Sequence, residues 1–168
     1  MAAKGYTTKT EIQNYLLTAI DASFDSQVDS WISQVEQYID QQTGKNFIAP
    51  SLATEKVYDG DGSNEIEIDD CVEITKLEIC DTEGNVIEDS LVKSQDYFYL
   101  PENQIPIQAL KLYGYRFQKG IQNIKVTGKW GFSTAVPNDI KFAATILAAN
   151  IINFSNQVPG ELKLMMFG

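Results

Sequence analysis

The chain has 168 residues, 43% hydrophobic content and a net charge of −10, which suits one globular domain with a real core and excludes bulk disorder. It contains no histidine and only two cysteines, which excludes Ser-His-Asp and Cys-His nucleophilic machinery and the usual zinc sites. The N-terminus lacks the apolar run of a signal peptide, so we expect a cytoplasmic protein in which Cys71 and Cys80 are reduced thiols.

Two amphipathic helices are predicted near the N-terminus. Thr8 with Glu11 three residues later forms a capping box, and apolar residues continue at helical spacing as far as Ile20. The second helix is predicted over residues 27–42, and Gly44 supplies its stop signal. The apolar side of this second helix comprises Val28, Trp31, Ile32, Val35, Tyr38 and Ile39.

From Pro50 to Thr127 the hydrophobic period changes to two, which predicts strands and turns. The apolar phase slips between Ile74 and Leu77, so a β-bulge or a strand boundary is expected near Thr75. The predicted strand segments are Glu65–Asp69, Lys76–Ile79, Asp96–Leu100, Leu110–Leu112 and Ile124–Val126.

A third helix is predicted over residues 137–154, with Pro137 at its start. Gly128 and Gly131 are expected to break the preceding strand around Trp130, which we interpret as a structural residue. The main apolar stripe of the helix comprises Ile140, Ala143, Ala144, Leu147, Ile151 and Phe154. A helix this apolar is central to a domain or buried by another chain, and if it is central, Leu147→Asp abolishes folding.

The C-terminal segment ELKLMMFG, residues 161–168, follows the helix breaker Pro159-Gly160. It carries unusually many apolar side chains for a chain end, so it either folds back onto its own domain or docks on a partner. The predicted partner-interface residues are Leu162, Leu164, Met165, Met166 and Phe167.

The spacing Asp59-x-Asp61-x-Ser63 resembles the start of a calcium loop. The match is poor because the sixth position is Asn64, where the sharp turn needs glycine, and the twelfth is Asp70, where a bidentate glutamate belongs. A plain hairpin turn is the preferred interpretation, and no metal or other cofactor is predicted.

The sequence offers little support for a glycosidase site or a nucleic-acid surface. Acidic residues abound in the middle of the chain, but no isolated glutamate lies in an apolar context that would raise its pKa for glycoside hydrolysis. A run of basic and aromatic residues could form a nucleic-acid surface, although Arg116 is the only arginine, which argues against specific base readout. That run comprises Tyr113, Tyr115, Arg116, Phe117 and Lys119.

The charge is distributed unevenly along the sequence. Residues 1–54 have a net charge of −3, residues 55–104 of −12, and residues 105–168 of +5. An acidic middle could repel DNA, while the basic C-terminal third of one molecule could attract the acidic middle of another.

The order of these elements resembles the head-to-tail connector proteins of long-tailed bacteriophages, also called adaptor or head-completion proteins. The segments that carry the resemblance are Thr8–Ile20, Ile39–Phe47, Val57–Gly62, Ile74–Leu77, Asp96–Pro101, Val126–Gly131 and Val136–Lys141. The strongly acidic middle and the apolar C-terminal segment depart from the pattern.

The resemblance implies a non-enzymatic virion protein that forms a homo-oligomeric ring beneath the portal, extends the DNA channel and contacts a tail or stopper protein. DNA would pass without specific binding, and no membrane is involved. We therefore expect an α+β fold in which N-terminal helices and a C-terminal helix form a helical core around an inserted, mostly antiparallel β region. The single connector domain, 1–168, would comprise residues 1–49, 50–131, 132–157 and a tail of 158–168. The alternatives are a carboxylate-dependent phage lysozyme-type hydrolase and a β-rich ligand- or calcium-binding module.

Overall fold

The computed structural model describes residues 4–81, 83–89 and 91–157. The chain divides into two compact units: a helical unit of residues 1–44 and 136–168, and a sheet unit of residues 45–135. The fold contains three α-helices and six strands in an antiparallel sheet within the described residues, so the predicted α+β class is confirmed. No helix in the described part of the chain is long and apolar enough to cross a membrane.

The helical unit contains α1 (Lys9–Leu16), α2 (Asp25–Thr43) and α3 (Asn138–Gln157), with a short 3-10 turn at Ala22–Phe24. The predicted cap of α1 is confirmed, since the Thr8 side chain accepts a hydrogen bond from the Glu11 backbone N–H at 3.2 Å. Gly44 ends α2 in the left-handed conformation with φ 64°, as predicted.

The first helix is shorter than predicted. It ends at Leu16 because Leu17 adopts a left-handed conformation with φ 53°, so Ile20 lies outside it. The periodic apolar residues beyond Leu17 continue a helical pattern in the sequence, but a single residue in the left-handed region is enough to end the helix.

Three contacts connect α1 and the residue before its cap to α3. The hydroxyl groups of Thr7 and Thr145 are hydrogen-bonded at 2.8 Å, and both residues are buried. Lys141 forms an ion pair with Glu11 at 3.0 Å. Tyr15 and Phe142 meet edge to face with ring centroids 6.4 Å apart. These contacts bring the two chain ends together in the helical unit.

The buried face of α3 differs from the predicted stripe. Its buried residues are mostly small, namely Ala144, Thr145, Ala148, Ala149, Ile152 and Ser155. Leu147 and Ile151 are only half-buried, and Phe154 is 50% exposed. If the helix is taken as central to the domain, the predicted stripe is not its buried face, because small side chains let helices approach closely and so occupy the contact face.

The sheet unit contains six strands in the order β1-β6-β2-β5-β4, with the short β3 paired to β2, and all pairs are antiparallel. The strands are β1 (Thr54–Gly60), β2 (Glu65–Cys80), β3 (Val86–Glu88), β4 (Tyr97–Leu100), β5 (Ile107–Leu112) and β6 (Gly120–Trp130). The long β2 is central, and the two segments predicted within it form one continuous strand. Its buried face joins a core that includes Leu77, Leu110, Leu112, Phe117, Ile124 and Val126.

The bulge predicted near Thr75 is confirmed. Ile74 pairs with Gly128 and Lys76 pairs with Thr127, so Thr75 is the extra residue on β2. A Cβ on Gly128 would lie 2.6 Å from the Glu73 carbonyl oxygen, which explains the glycine as a point of close backbone approach. The expectation that Gly128 breaks the strand is wrong, since β6 continues to Trp130.

The turn after β1 is not a hairpin turn. The strands β1 and β2 lie on opposite sides of β6, so the Asp59–Gly62 segment crosses over the end of an intervening strand. The buried side chain of Asn123 accepts a hydrogen bond from the Gly60 N–H at 2.8 Å and thereby ties the end of β1 to β6. Turn residues have the same composition whether the strands they join are neighbours or not, so the sequence pattern could not separate the two cases.

Trp130 lies in the interior of the sheet unit, 7% exposed. Its indole Nε1–H donates to the Thr54 carbonyl at 2.8 Å, its ring centroid lies 6.1 Å from that of Tyr58, and the Lys56 ammonium lies 4.8 Å from the centroid. These contacts join the end of β6 to β1 and agree with a structural role for Trp130.

Candidate interaction surfaces

An open, largely apolar groove with a volume of about 640 Å³ lies between α2 and α3 in the helical unit. We call it the α2–α3 groove. Its lining residues are Gln34, Val35 and Tyr38 from α2 and Leu147, Asn150, Ile151 and Phe154 from α3. Their spacing of three or four residues places each set on one side of its helix.

The groove presents large apolar side chains to solvent. Tyr38 is 54% exposed and Phe154 is 50% exposed, while the buried Val35 forms part of the floor. Tyr38 was predicted on the apolar side of the second helix, and the structure places it at the groove. A contiguous apolar surface of this kind marks an interaction site more often than isolated exposed residues do.

The hydrophobic pattern of the third helix identified its apolar residues at this groove but did not show that they are exposed. Leu147, Ile151 and Phe154 belong to the stripe predicted for the third helix, and the structure places all three at the groove. Burial within the unit applies to the side of α3 that carries Ala148, while the side that carries Phe154 lies at the open groove.

Charged side chains on the sheet unit form ion pairs within the chain. Lys56 of β1 pairs with Asp69 at 2.9 Å, Lys111 of β5 pairs with Glu65 at 3.3 Å, and Lys129 of β6 pairs with Glu73. Strands β5 and β6 flank β2, so bases from the C-terminal third lie beside acids from the middle third. The charge separation seen along the sequence is thus partly neutralised in space.

Two carboxylates of the segment that resembles a calcium loop accept hydrogen bonds within the chain. Asp59 accepts a hydrogen bond from the Gln122 N–H at 2.6 Å, and Asp61 accepts from the Ser63 N–H at 2.7 Å. The hydrogen bond from Ser63 holds the pKa of Asp61 below its ordinary value. In the described ranges no group of three or more histidine, cysteine or acidic residues is arranged to hold a metal ion. These carboxylates stabilise the turn that follows β1 by accepting backbone hydrogen bonds.

Among the described residues two carboxylates are buried, and each has structural partners. Glu36 in the helical unit accepts from the backbone N–H groups of Lys4, Gly5 and Tyr6 at 2.7, 2.7 and 2.9 Å. Glu78 in the sheet unit pairs with Lys76 at 2.8 Å. Neither arrangement is the apolar pocket that an acid catalyst of glycoside hydrolysis requires.

Both cysteines are buried and free of disulfide bonds. The thiol of Cys71 donates to the carbonyl groups of Glu73 and Lys129 at 3.1 and 3.2 Å, and burial raises its pKa. A thiol in this environment is a poor nucleophile because its thiolate is disfavoured.

The run of basic and aromatic residues does not form a row of stacking platforms. Phe117 is 1% exposed and belongs to the core of the sheet unit, whereas Tyr113 is 69% exposed and packs edge to face on Phe98 with centroids 6.0 Å apart. The hydroxyl of Tyr115 is buried. Binding to single-stranded nucleic acid needs several exposed rings side by side, and this arrangement lacks them.

The five predicted interface residues of the C-terminal segment lie outside the described residues. They are Leu162, Leu164, Met165, Met166 and Phe167. The last described residue of α3 is Gln157, three residues after Phe154 at the groove.

The fold of this chain is similar to that of proteins in solved structures, although sequence comparisons find no match. No family model matches the chain, and no curated protein sequence matches it. Among solved structures, the chain is similar to a chain in the neck of an empty gene transfer agent particle computed with C6 symmetry, with 16% identity and a TM-score of 0.63 over 95% of this chain and 84% of the other. It is also similar to a chain in the neck of the native particle computed with C12 symmetry, with 17% identity, a TM-score of 0.59 and coverage of 95% and 83%. A chain in the virion of the native gene transfer agent particle gives 17% identity, a TM-score of 0.62 and coverage of 95% and 85%. The chain therefore has the fold of a neck protein of a phage-like particle, which confirms at the level of the fold the resemblance to head-to-tail connectors.

Proposed function

We propose that this protein is a non-enzymatic structural component of the virion neck, where it forms a ring beneath the portal, joins the capsid to the tail and extends the DNA channel. The observation that carries the proposal is the likeness of 95% of the chain to proteins of a gene transfer agent neck. Those necks were computed with C6 and C12 symmetry, which supports a homo-oligomeric ring for this chain as well.

The proposed protomer acts as one connector domain over residues 1–168, with the helices of both chain ends as its helical core. The hydrogen bond from Thr7 to Thr145 and the ion pair from Glu11 to Lys141 support this arrangement. The portal and a tail or stopper protein are the proposed partners, and the C-terminal segment contacts the portal or a neighbouring protomer. Assembly takes place in the host cytoplasm, and the mature location is the head-tail junction.

An apolar groove and an apolar C-terminal segment suit a protein whose task is association. Exposed ion pairs such as Lys56 with Asp69 contribute only about 0–1 kcal/mol each, so apolar surface must provide most of the affinity between subunits. Charge then sets orientation and register.

Electron microscopy of the purified protein mixed with the portal of its own virus tests the proposal. We expect an additional ring of density on the tail-facing end of the portal. Matched samples contain the portal alone and the portal with Ala148→Asp, a variant whose new carboxylate would lie on the buried face of α3. A portal that stays bare with the folded wild-type protein at high concentration would contradict the proposed function.

A further inference from the structure

The α2–α3 groove has the shape and chemistry of a site for a short apolar peptide. Its walls carry Tyr38, Leu147, Ile151 and Phe154, and its polar groups are the side-chain amides of Gln34 and Asn150. Amphipathic or extended peptides bind such grooves through a few apolar anchors at regular spacing.

The chain itself contains a segment with matching properties. Residues 161–168 place five apolar side chains within six positions, two of them methionines, which adapt to irregular surfaces. From Leu147 to Phe154 the groove follows α3 for seven residues, or about 10 Å. Eight residues span about 12 Å as a helix and about 26 Å when extended, so this segment is long enough to fill the groove.

We propose that residues 161–168 of a second copy of this chain dock into the α2–α3 groove. This inference rests on the proposed ring, and it names the contact that closes it. Every chain supplies one segment and one groove, so a head-to-tail contact repeated around a ring leaves no groove and no segment unused.

The sequence between α3 and the segment favours a second copy over the same chain. Val158 precedes Pro159, and a residue before proline disfavours the helical region and favours an extended conformation. Only residues 158–160 separate the end of α3 at Gln157 from the segment, and docking into the chain's own groove would require a complete reversal within them.

A peptide-binding measurement tests both parts of the proposal. A fluorescently labelled peptide of residues 158–168 is titrated by anisotropy with the full-length protein and with a variant that ends at Gly160. We expect saturable binding to both proteins, with an apparent affinity of the full-length protein within about twofold of that of the truncated one, because only other copies compete for its groove. Phe154→Asp should weaken binding by about tenfold or more, as the loss of a central aromatic anchor does.

The matched control is Phe142→Asp. Phe142 is on the same helix and is 60% exposed, but it does not line the groove, so its affinity for the peptide should stay within about twofold of wild type. Absence of binding to either protein, or equal weakening by both substitutions, would overturn the proposal. If the segment occupied its own groove, it would compete at an effective concentration of about a millimolar, and the full-length protein would bind the peptide much more weakly than the truncated one. That outcome would overturn the assignment to a second copy.

Mixing two variants gives an independent test. The protein that ends at Gly160 keeps the groove and lacks the segment. The Phe154→Asp protein keeps the segment and has a damaged groove. Sedimentation velocity at concentrations above the Kd of the peptide should show each variant as a monomer and their mixture as a one-to-one heterodimer. A mixture that stays monomeric would contradict docking between copies. Neither test involves the portal, so failure to bind the portal would count against the proposed function and leave this contact standing.

Discussion

The Glu36 carboxylate and the Tyr6 backbone N–H lie 2.9 Å apart, and the same carboxylate accepts from the N–H groups of Lys4 and Gly5. Glu36 is 2% exposed, and Tyr6 is fully buried. The N-terminal segment is thus fixed to α2 by three charge-assisted hydrogen bonds to one side chain, which are stronger than bonds between neutral groups.

We predict that Glu36→Gln lowers the free energy of unfolding by about 1–3 kcal/mol, because an amide offers one acceptor oxygen and brings two donors toward the N–H groups. Urea denaturation followed by circular dichroism measures the change. The control is Asp29→Asn on the exposed side of α2, which should change stability by less than about 0.5 kcal/mol. Equal stability of Glu36→Gln and wild type would show that the N-terminal segment contributes little to the fold.

Substitution by aspartate should have very different effects on stability at two adjacent residues of α3, Leu147 and Ala148. Ala148 is fully buried, so Ala148→Asp places an unpaired charge in the interior at a cost of several kcal/mol, against a total stability of about 5–15 kcal/mol. Leu147 is half-buried at the open groove, so Leu147→Asp should remain folded and lose about 1–2 kcal/mol. Thermal melts compare the two variants, and a folded Ala148→Asp beside an unfolded Leu147→Asp would reverse our assignment of the two faces.

The sequence predicted local features of the fold better than contacts between distant residues. The Thr8 cap, the Gly44 stop and the bulge at Thr75 all follow from rules that act within a few residues. The position of β6 between β1 and β2 depends on contacts far apart in sequence, which local patterns do not encode.

The same distinction applies to the candidate interaction surface. The hydrophobic pattern identified Leu147, Ile151 and Phe154 as a stripe but could not show that α3 turns its small residues inward. That choice depends on how closely the helices approach each other, and residues such as Ala148 allow the closest approach. The ion pairs of Lys111 and Lys129 with acids of β2 were missed for the same reason, since they follow from strand order.

We predict that Trp130 stabilises the fold and does not contact another subunit. Trp130→Ala should lower the free energy of unfolding by about 3–5 kcal/mol because it removes a buried aromatic side chain and leaves the Thr54 carbonyl without its indole donor. Trp130→Phe keeps much of the apolar volume, so its smaller loss isolates the hydrogen bond. Chemical denaturation of all three proteins provides the values, and undiminished stability of Trp130→Ala combined with lost assembly would make Trp130 an interface residue.

The hydroxyl group of Tyr115 is buried and has no hydrogen-bond partner among the described residues. Burial raises the pKa of Tyr115 to about 12, with further contributions from the charges of Glu88 and Asp96. An unsatisfied buried polar group costs about 1–3 kcal/mol, so Tyr115→Phe should leave stability unchanged or increase it. Differential scanning calorimetry decides the matter, and a clear fall in melting temperature would indicate that a bound water satisfies this hydroxyl.

The last prediction concerns DNA, which we propose passes through the ring past part of its acidic middle segment without being held. Duplex DNA carries one charge per about 1.7 Å, and lysines that neutralise its phosphates create salt-dependent adhesion. In the sheet unit, Lys56, Lys111 and Lys129 each pair with a carboxylate of the same chain. We therefore expect that the wild-type protein does not retard duplex DNA in a gel, even at low salt.

Releasing these lysines should create DNA binding. The triple variant Asp69→Asn, Glu65→Gln and Glu73→Gln keeps the lysines and removes their partners, so we expect weak retardation whose salt dependence corresponds to about three phosphate contacts. A control with the same change in net charge neutralises Asp61, Glu83 and Glu102, whose carboxylates are not paired with these lysines. It should bind DNA less than the test variant does, because the paired acids still neutralise the lysines locally. Equal binding by the two triple variants would show that net charge alone governs adhesion, and tight binding by the wild-type protein would contradict a channel that releases DNA.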